Sequence, residues 1–323
     1  MSMREFMNTN FRHFNARETR EAAQAWVDLI ERGDKMFLSI AGAMSTAQLG
    51  KTLARMIREG KVHGISTTGA NVEEDLFNLL AREKYKRVSN YRDLTPQQEE
   101  DLYKNGFNRV TDVCIPEYVF YQLDDFFKPH WTRAEKEGTR HTPWEIIKMV
   151  IDAGEMKEHY QVPPEESWVL AAHEMNIPVW VPGWEDSTLG SGFAAEVVKG
   201  EIVSSHNIIK SGTEQLVEVA DWYREHSKAG TRVGFFQIGG GIAGDFAICA
   251  VPLLIQDLKE KDIPYWSYFA QIGDSSTSYG SYSGAVPNEK ITWGKLDTDS
   301  PTFMIQSDAT IVAPLVFAYV LDA

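Results

Sequence analysis

The chain has 323 residues, and a hydrophobic content of 43% is enough to bury a large core. Its formal net charge of -14 argues against nucleic acid and anionic membrane surfaces as partners. Only two cysteines occur, no apolar run approaches the roughly 18 residues of a membrane span, and the start lacks the apolar core of a signal peptide. These features predict a soluble, cytoplasmic protein without disulfides.

Short apolar strands alternate with amphipathic helices along most of the chain. The first helix is predicted at 17–32, before Gly33. The predicted strands are 35–40, 62–66, 178–182, 232–238, 265–270 and 302–306. The further predicted helices are 45–58, 72–82, about 188–199, 212–226, 242–258 and 309–321. This alternation indicates an α/β fold with a doubly wound, mostly parallel sheet covered on both faces.

The polar stretches of the chain predict its domain organisation. Residues 1–34 are expected to form an N-terminal arm and helix, and residues 35–323 a single domain. The region from about 85 to 165 is polar, charged and aromatic. We interpret it as an insertion of loops and helices within that domain, not as a second domain.

The loop at 280–295 holds the main candidate for covalent chemistry. It combines Gly, Ser and Pro with an acid, Glu289, and ends in Trp293-Gly294-Lys295. Most lysines are solvated surface charges, which is the alternative for Lys295. A large ring such as Trp293 excludes water, however, and desolvation lowers the pKa of a lysine toward the neutral, nucleophilic amine. Lys295 is therefore a candidate for Schiff-base chemistry.

A glycine-rich turn lies between the strand at 232–238 and the helix that follows it. Residues 239–244 fit the spacing G-x-G-x-x-G. In this context glycines allow the backbone to approach a pyrophosphate at a helix N-terminus, which is the dinucleotide fingerprint. The alternative is a tight strand-to-helix turn without a ligand.

Three consecutive acids follow the second predicted strand. Residues 67–75 read Thr-Thr-Gly-Ala-Asn-Val-Glu-Glu-Asp, and ligands bind at the carboxyl ends of the strands in such sheets. Glu73, Glu74 and Asp75 would suit a polycationic ligand. Alternatively, they are acids in the first turn of a helix, where the helix dipole favours them.

Two further acids, Asp186 and Asp308, follow other predicted strands at the same edge of the sheet. Each is also explained as the N-cap of the next helix. The histidines and cysteines show no metal-ligand spacing, and no G-x-S-x-G elbow or Walker loop occurs. The sequence therefore predicts no metal site and gives little support to hydrolase or kinase chemistry.

Five motifs occur in an order that resembles the deoxyhypusine synthase family. They are Thr-Thr-Gly-x-x-x-Glu-Glu-Asp at 67–75, Pro-x-x-x-Asp-x-x-Leu-Gly at 182–190, the glycine triplet at 239–241, Ser-Gly-Ala-x-Pro followed by Trp-Gly-Lys at 283–295, and Asp-Ala at 308–309. The resemblance covers nearly the whole chain after the N-terminal arm. It implies a Rossmann-like NAD-binding domain and a homotetramer with active sites shared across a dimer interface.

The resemblance also implies a reaction and the residues that serve it. In that family NAD takes a hydride from spermidine, the loop lysine captures the imine, and a 4-aminobutyl group passes to an acceptor amine that NADH reduces. By this likeness Lys295 is the nucleophile, Glu289 and Trp293 line the polyamine tunnel, and Glu73 and Glu74 meet ammonium groups. The implied cofactor-binding residues are Gly42, Thr46, Thr68, Gly69, Asp186, Gly240, Asp308 and Ala309.

Three of the implied substrate-binding positions depart from the family pattern. Ser191 stands where the family has an acid after Leu-Gly, Asp245 where it has a His, and Tyr282 where it has an acid in a Gly-Ser-Asp turn. We infer that the lysine imine chemistry is kept and that the amine donor or acceptor has changed.

The leading hypothesis is an NAD-dependent aminoalkyl transferase acting on spermidine or a related polyamine. Its acceptor would be a small amine, such as putrescine giving homospermidine. The alternatives are a true deoxyhypusine synthase modifying a translation-factor lysine, a non-catalytic polyamine- and NAD-binding protein, and a plain dehydrogenase.

Overall fold

The computed structural model describes residues 1–227 and 230–322. Within them the strands are β1 (Lys35–Ile40), β2 (Gly64–Thr67), β3 (Lys86–Arg87), β4 (Phe107–Val110), β5 (Val113–Pro116), β6 (Val179–Trp180), β7 (Val233–Ile238), β8 (Phe269–Gly273) and β9 (Thr302–Gln306). The helices are α1 (Met3–Asn10), α2 (Phe14–Glu31), α3 (Gly50–Arg58), α4 (Gly69–Ala81), α5 (Pro96–Lys104), α6 (Tyr118–Glu137), α7 (Pro143–Ala153), α8 (Trp168–Glu174), α9 (Thr188–Lys199), α10 (Gly212–His226), α11 (Gly241–Ile248), α12 (Ala250–Pro252), α13 (Glu289–Thr292) and α14 (Ala309–Leu321). No helix of the described residues is both long enough and apolar enough to cross a bilayer.

Six strands form one parallel sheet in the order β6-β2-β1-β7-β8-β9. When the six strands of this sheet are renumbered 1 to 6 in chain order, their spatial order is 3-2-1-4-5-6. This is the order of the doubly wound dinucleotide-binding folds. The predicted α/β fold with a parallel sheet is confirmed. The strand order reverses between β1 and β7, and ligands bind at this switch point in folds of this kind.

Helices cover both faces of the sheet because its central strands are apolar on both faces. On one face, beneath α10 and α11, the rings of Phe37 and Phe235 stack with centroids 5.5 Å apart, and those of Phe235 and Phe269 lie 6.2 Å apart. On the other face Trp26 of α2 packs on Phe236 at 4.7 Å. Adjacent residues of β7 thus enter two separate layers of the core.

The first residues form a helix where the sequence predicted only an arm. The Ser2 hydroxyl accepts a hydrogen bond of 3.1 Å from the Glu5 amide, which caps α1, and Met7 is completely buried. The Arg4 amide donates to the Asp322 carboxylate at 2.8 Å, so α1 packs beside the end of the chain. The domain boundary at residue 34 stays a prediction.

The region from about 85 to 165 contains a small sheet in addition to the predicted loops and helices. Strands β3, β5 and β4 pair antiparallel in that spatial order. These strands were not predicted because they have only two to four residues each, too few for a period-two pattern. Helix α7 begins with a capping box between Thr142 and Glu145.

Helix α3 begins later than predicted, at Gly50 instead of residue 45. The amide of Ser45 donates to the side chain of Asn71 at 3.1 Å, and the amide of Thr46 donates to Glu74 at 3.1 Å. These backbone donors are satisfied by side chains of α4, so the segment before Gly50 does not need a helix.

Two other elements also differ from their predicted ranges. A single helix was expected over 242–258. Instead α11 ends at Ile248, and a π-helical turn at Leu253–Asp257 follows Pro252. The strand expected at 265–270 begins only at Phe269, because Trp266 pairs with Leu296 outside the sheet. That pairing positions the segment that carries Lys295.

The two outermost strands of the six-stranded sheet differ in length and surroundings. Strand β6 has only two residues. At the end of β9, the side-chain amide of Asn15 donates to the Gln306 carbonyl at 2.9 Å and accepts from the Gln306 amide at 3.4 Å. Asn15 therefore takes the place that a peptide group of a further strand would have.

Candidate active site

The turn that carries Lys295 is fixed by backbone hydrogen bonds on both sides. The Lys295 amide donates to the Lys290 carbonyl at 3.0 Å, and the Lys295 carbonyl accepts from the Trp266 amide at 3.1 Å. Gly294 between them has a φ of 66°. This left-handed conformation favours glycine, so Gly294 serves the turn itself.

The side chain of Lys295 is buried, with 6% of the residue exposed. Its Nζ donates to Asp245 Oδ1 of α11 at 2.7 Å and lies 5.2 Å from the centre of the Tyr282 ring. Both residues line a pocket of about 470 Å³, together with Cys249, Ser278, Gly280, Ser281, Gly284, Ala285, Glu289 and Trp293. The structure thus provides a buried amine beside a carboxylate at the wall of an open pocket.

The water-excluding wall beside Lys295 is not the one that the sequence predicted. Trp293 is 62% exposed and its ring centre lies 6.0 Å from the Lys295 Nζ, so it lies at the rim of the pocket. Tyr282 lies closer, and its hydroxyl donates to Gln237 Oε1 of β7 at 2.9 Å. Burial raises the pKa of Tyr282 well above its ordinary value, so this wall is an uncharged ring.

A second buried lysine, Lys290, lies next to the first and was missed by the sequence analysis. Only 2% of Lys290 is exposed, and its Nζ lies 4.6 Å from the centre of the Phe269 ring and 4.8 Å from that of Tyr282. Burial, and next the charge of Lys295, lower the pKa of Lys290 to about 8. A lysine after an acid in a four-residue helix gives no sequence signal of such burial.

Two other pocket residues complete the electrostatic setting of Lys295. The Cys249 thiol donates to Asp245 Oδ1 at 3.6 Å, and burial raises its pKa, so this thiol is uncharged near neutral pH. Glu289 is exposed at the pocket wall. Cys249 was not singled out from the sequence, because its approach to Asp245 depends on the turn at the end of α11.

The three consecutive acids of α4 tie helices together. Helix α4 starts at Gly69 and not at residue 72, so the three acids lie beyond its first turn. The alternative that placed them in the first turn of a helix is therefore wrong. Glu73 accepts hydrogen bonds from the Thr188 amide at 3.0 Å and the Leu189 amide at 2.9 Å, at the start of α9. Glu73 therefore occupies the N-terminus of a neighbouring helix.

The other two acids, Glu74 and Asp75, also bind backbone amides. Glu74 accepts from the Thr46 amide at 3.1 Å. Asp75 accepts from the Val169 amide at 3.1 Å and the Ser167 hydroxyl at 2.5 Å, at the start of α8. Burial raises the pKa of Glu73, and it raises the pKa values of Glu74 and Asp75 to about 7.

Four of the predicted cofactor residues lie near the switch point of the sheet. Gly42 follows β1 and Gly240 follows β7, while Thr68 and Gly69 begin α4 after β2. The Thr68 hydroxyl donates to the Gly42 carbonyl at 2.8 Å and accepts from the Asn71 amide at 3.3 Å, so it both ties the loop and caps α4.

The glycine turn is open on one side and filled on the other. A Cβ on Gly241 would meet nothing within 4 Å, whereas a Cβ on Gly240 would meet Ser283 Oγ at 1.8 Å. Gly42 is also open, with only a Met44 methyl group within 4 Å. Gly42 and Gly241 therefore leave space at the N-terminus of α11, and the lysine loop covers Gly240.

Three further predicted cofactor residues follow the two outermost strands of the sheet. Asp186 is exposed after β6, whereas Asp308 and Ala309 follow β9. Asp308 caps α14 by accepting from the Thr310 amide at 2.7 Å. Asp186 is not a cap, because Ser187 accepts from the Gly190 amide and caps α9.

The structure brings only part of the predicted substrate set together. Asp245, Tyr282, Glu289, Trp293 and Lys295 line one pocket. In the described chain Glu73, Glu74 and Ser191 lie on the opposite side of the switch point, on α4 and α9. Thr46 is bound to Glu74 on that side. We call the residues of that pocket the lysine half of the predicted site, and Glu73, Glu74 and Ser191, which do not line it in the described chain, the acidic half.

A six-stranded parallel sheet in this order, with a glycine-rich turn at its switch point, defines a doubly wound α/β protein of the Rossmann type. The family model for deoxyhypusine synthase matches residues 3–320. The chain belongs to the deoxyhypusine synthase family.

Two relatives whose names place them in this family align with this chain over most of their length. "Probable deoxyhypusine synthase 1" of Archaeoglobus fulgidus is 28% identical, and the alignment covers 96% of this chain and 90% of that protein. A "Deoxyhypusine synthase-like protein" of Nostoc sp. is 27% identical over 100% of this chain and 82% of its own.

Solved structures show the same fold at low sequence identity. The crystal structure of a candidate deoxyhypusine synthase from Entamoeba histolytica superposes with a TM-score of 0.57 and 14% identity, covering 99% of this chain and 92% of that one. A complex of AgrE with ornithine and NAD+ gives a TM-score of 0.51 and 10% identity, covering 95% of this chain and 34% of that one. These similarities concern the fold alone.

Proposed function

We propose that this chain is an NAD-dependent transferase that moves a 4-aminobutyl group from spermidine or a related polyamine to an acceptor amine through an imine on Lys295. Membership of the deoxyhypusine synthase family supports aminobutyl transfer. The observation that carries the proposal is the buried Lys295 amine, 2.7 Å from Asp245 in a pocket of about 470 Å³.

The pocket residues orient the nucleophile and bind the substrate. Lys295 must be neutral to attack, and Asp245 Oδ1, which accepts the hydrogen bond of the Lys295 Nζ, orients the amine. Attack of Lys295 on the oxidised donor forms the lysine imine and releases 1,3-diaminopropane. The exposed carboxylate of Glu289 and the exposed face of Trp293 can hold an ammonium group at the pocket rim.

The glycine turns fit a dinucleotide cofactor at the switch point. Gly42 and Gly241 leave room for a pyrophosphate at the N-terminus of α11, where free amides favour an anion. Asp186, Asp308 and Ala309, at the carboxyl ends of β6 and β9, are proposed to hold its outer parts. Bound NAD would supply the hydride acceptor for donor oxidation and the hydride for the final reduction.

We further propose that the acceptor is a small amine, as in homospermidine formation. Two of the three departures from the family pattern, Asp245 and Tyr282, line the lysine pocket itself. A change at the place where the acceptor amine must reach the imine supports a changed acceptor. The alternatives are a translation-factor lysine as acceptor and a protein that binds polyamine and NAD without turnover.

We propose that two chains of a homotetramer share each active site. The lysine half and the acidic half of the predicted site lie on opposite sides of the switch point in one chain. A second copy could bring its acidic half to Lys295. Glu73, Glu74 and Ser191 would then meet the polyamine from the partner.

The test is product analysis by mass spectrometry after incubation with NAD and spermidine, with and without putrescine. Release of 1,3-diaminopropane together with homospermidine is the expected result. Transfer only when a translation-factor acceptor is added would favour the protein-lysine alternative. Net accumulation of NADH would indicate a plain dehydrogenase, and unconsumed spermidine would contradict the assigned donor.

The first variant to test is Lys295→Arg, which keeps a cation for Asp245 but removes the nucleophile. We expect transfer to fall at least about 100-fold, while NAD binding measured by calorimetry is retained. Lys136→Ala changes an exposed lysine of α6 and should leave transfer unchanged. Full activity in Lys295→Arg would overturn the imine mechanism.

A further inference from the structure

The lysine pocket places two buried amines against one bonded carboxylate. Asp245 Oδ1 accepts from the Lys295 Nζ at 2.7 Å. Within residues 1–227 and 230–322, the Lys290 Nζ donates one long hydrogen bond, of 3.4 Å, to the Ala285 carbonyl, and it faces two aromatic rings. The second cation is therefore poorly compensated.

Lys290 and Lys295 lie close to the same ring. Their Nζ atoms are 4.8 Å and 5.2 Å from the centre of Tyr282. Lys295 lines the pocket, whereas Lys290 is 2% exposed and lies behind its wall. Lys290 thus cannot readily meet a substrate, but its charge acts on the amine that can.

We propose that Lys290 and Asp245 are positioning residues that make Lys295 reactive only when an amine substrate is bound. This inference rests on the proposed function. In the resting pocket Lys295 and Asp245 form an ion pair. A substrate ammonium that binds the half-exposed Asp245 carboxylate displaces that ion pair, and the charge of Lys290 then favours loss of the Lys295 proton to solvent or substrate.

The groups that face Lys295 leave few other sources of charge. Cys249, which follows α11, and Tyr282 are both partly buried, and they are uncharged near neutral pH because burial raises their pKa values. Asp245 of α11, together with Glu289 and Lys290 of α13, carries the charge. The repulsion from Lys290 is present below about pH 8, where burial and the charge of Lys295 have placed the pKa of Lys290.

The experiment measures how fast Lys295 is reductively methylated by formaldehyde and cyanoborohydride at a series of pH values below about 8, where Lys290 is charged, without NAD or polyamine. The pH midpoint of Lys295 labelling is extrapolated from these rates. Peptide mass spectrometry reports Lys295, and the exposed Lys136 in the same digest is the internal reference. Lys290→Met should raise the pH midpoint of Lys295 labelling by about one unit, and Asp245→Asn should lower it by about one unit. Lys290→Arg keeps the charge and should retain the wild-type midpoint.

A separate measurement tests whether a bound substrate cation activates Lys295. N,N,N′,N′-tetramethyl-1,4-diaminobutane is a dication without a primary amine, so it does not consume the aldehyde. It should lower the midpoint of the wild type and leave that of Asp245→Asn unchanged. An unchanged midpoint in Lys290→Met, or in Lys290→Gln if the Met variant does not fold, would overturn the proposal, as would equal probe effects in wild type and Asp245→Asn.

These labelling results are independent of turnover. Shifted midpoints in a chain without transferase activity would support the tuned amine and reject the assigned reaction. Transfer activity with unshifted midpoints would reject only the roles of Lys290 and Asp245.

Discussion

Carboxyl groups of α4 connect elements that are far apart in the chain. Asp75 binds the start of α8, and Glu74 binds the loop before α3. Burial raises the pKa of each to about 7. In the folded chain these groups bind protons at pH values where the unfolded chain has released them. Their contribution to the free energy of unfolding therefore falls as pH rises from about 4 to about 7.

The Asp75→Asn variant isolates this effect. Both hydrogen bonds to Asp75 end on Oδ2, so an amide oxygen can keep them. We expect the variant to gain stability over wild type as pH rises from 5 to 8, by on the order of a few kcal/mol. The measurement is urea unfolding of both proteins at each pH.

The comparison with wild type is needed because His63 acts in the opposite direction. Burial lowers the pKa of His63 to about 4, so its contribution to stability rises with pH between about 4 and 6.5. That contribution cancels in the difference between the two proteins. A difference that stays constant with pH would show that Asp75 is ionised in the folded chain.

At the residue scale, positions named from one motif lie together in the structure, whereas positions that depend on packing were not predicted. Lys295, Glu289 and Trp293 do meet at one pocket. The exposure of Trp293 and the burial of Lys290 depend on how α13 packs on Phe269 and Tyr282. No local pattern encodes that packing. The binding roles of these residues stay predictions.

At the scale of elements, the start of α9 depends on close backbone packing. A Cβ on Gly190 would meet the Trp184 carbonyl oxygen at 2.6 Å and Glu185 Cα at 2.7 Å. Both are backbone atoms, so the turn that carries Asp186 would have to shift. We expect Gly190→Ala to destabilise the protein by about 1–3 kcal/mol in urea unfolding.

A matched control for this change is Gly212→Ala at the start of α10. A Cβ on Gly212 would meet nothing within 4 Å, and the φ of Gly212 does not lie in the left-handed region. The substitution should be neutral or slightly stabilising, because alanine restricts the unfolded chain. Equal destabilisation by both substitutions would contradict a packing role specific to Gly190.

The existence of most elements follows from local sequence, and their ends do not. Apolar runs identified β1, β7 and β9 closely, since strands buried in a parallel sheet are continuously apolar. The start of α3 and the start of β8 were wrong because long-range partners bind their backbone: α4 side chains at Ser45 and Thr46, and Leu296 at Trp266.

For the whole molecule, alternation of strands and helices predicted the class of fold but not the order of the strands. Order depends on which helices pack on which face, and that is a long-range property. The order matters because α4 follows β2 and Lys295 lies between β8 and β9, and in the described chain the acids of α4 do not line the lysine pocket. Neither the motifs nor their spacing could reveal that arrangement.

The shared site can be tested by mixing two inactive variants. Lys295→Arg damages the lysine half, and Asp186→Ala damages the proposed cofactor site beside the acidic half, where Asp186 is exposed before α9. If sites form between two chains, random pairing leaves one site in four with both halves intact, so activity should recover to about a quarter of wild type. The measurement is 1,3-diaminopropane release after co-refolding.

Each variant alone, refolded in the same way, is the control. A mixture no more active than the two separate variants would place both halves of the site in one chain. Wild type mixed with either variant gives the scale for subunit exchange.

The surroundings of β6 and β9 bear on how copies of this chain can associate. A long exposed edge strand presents free amides and carbonyls that recruit strands from other molecules and promote aggregation. Here one edge is only two residues long, and Asn15 occupies the end of the other. Copies of this chain are therefore expected to assemble through helices and loops, which leaves the carboxyl edge of the sheet, and so the proposed site, free to face a partner.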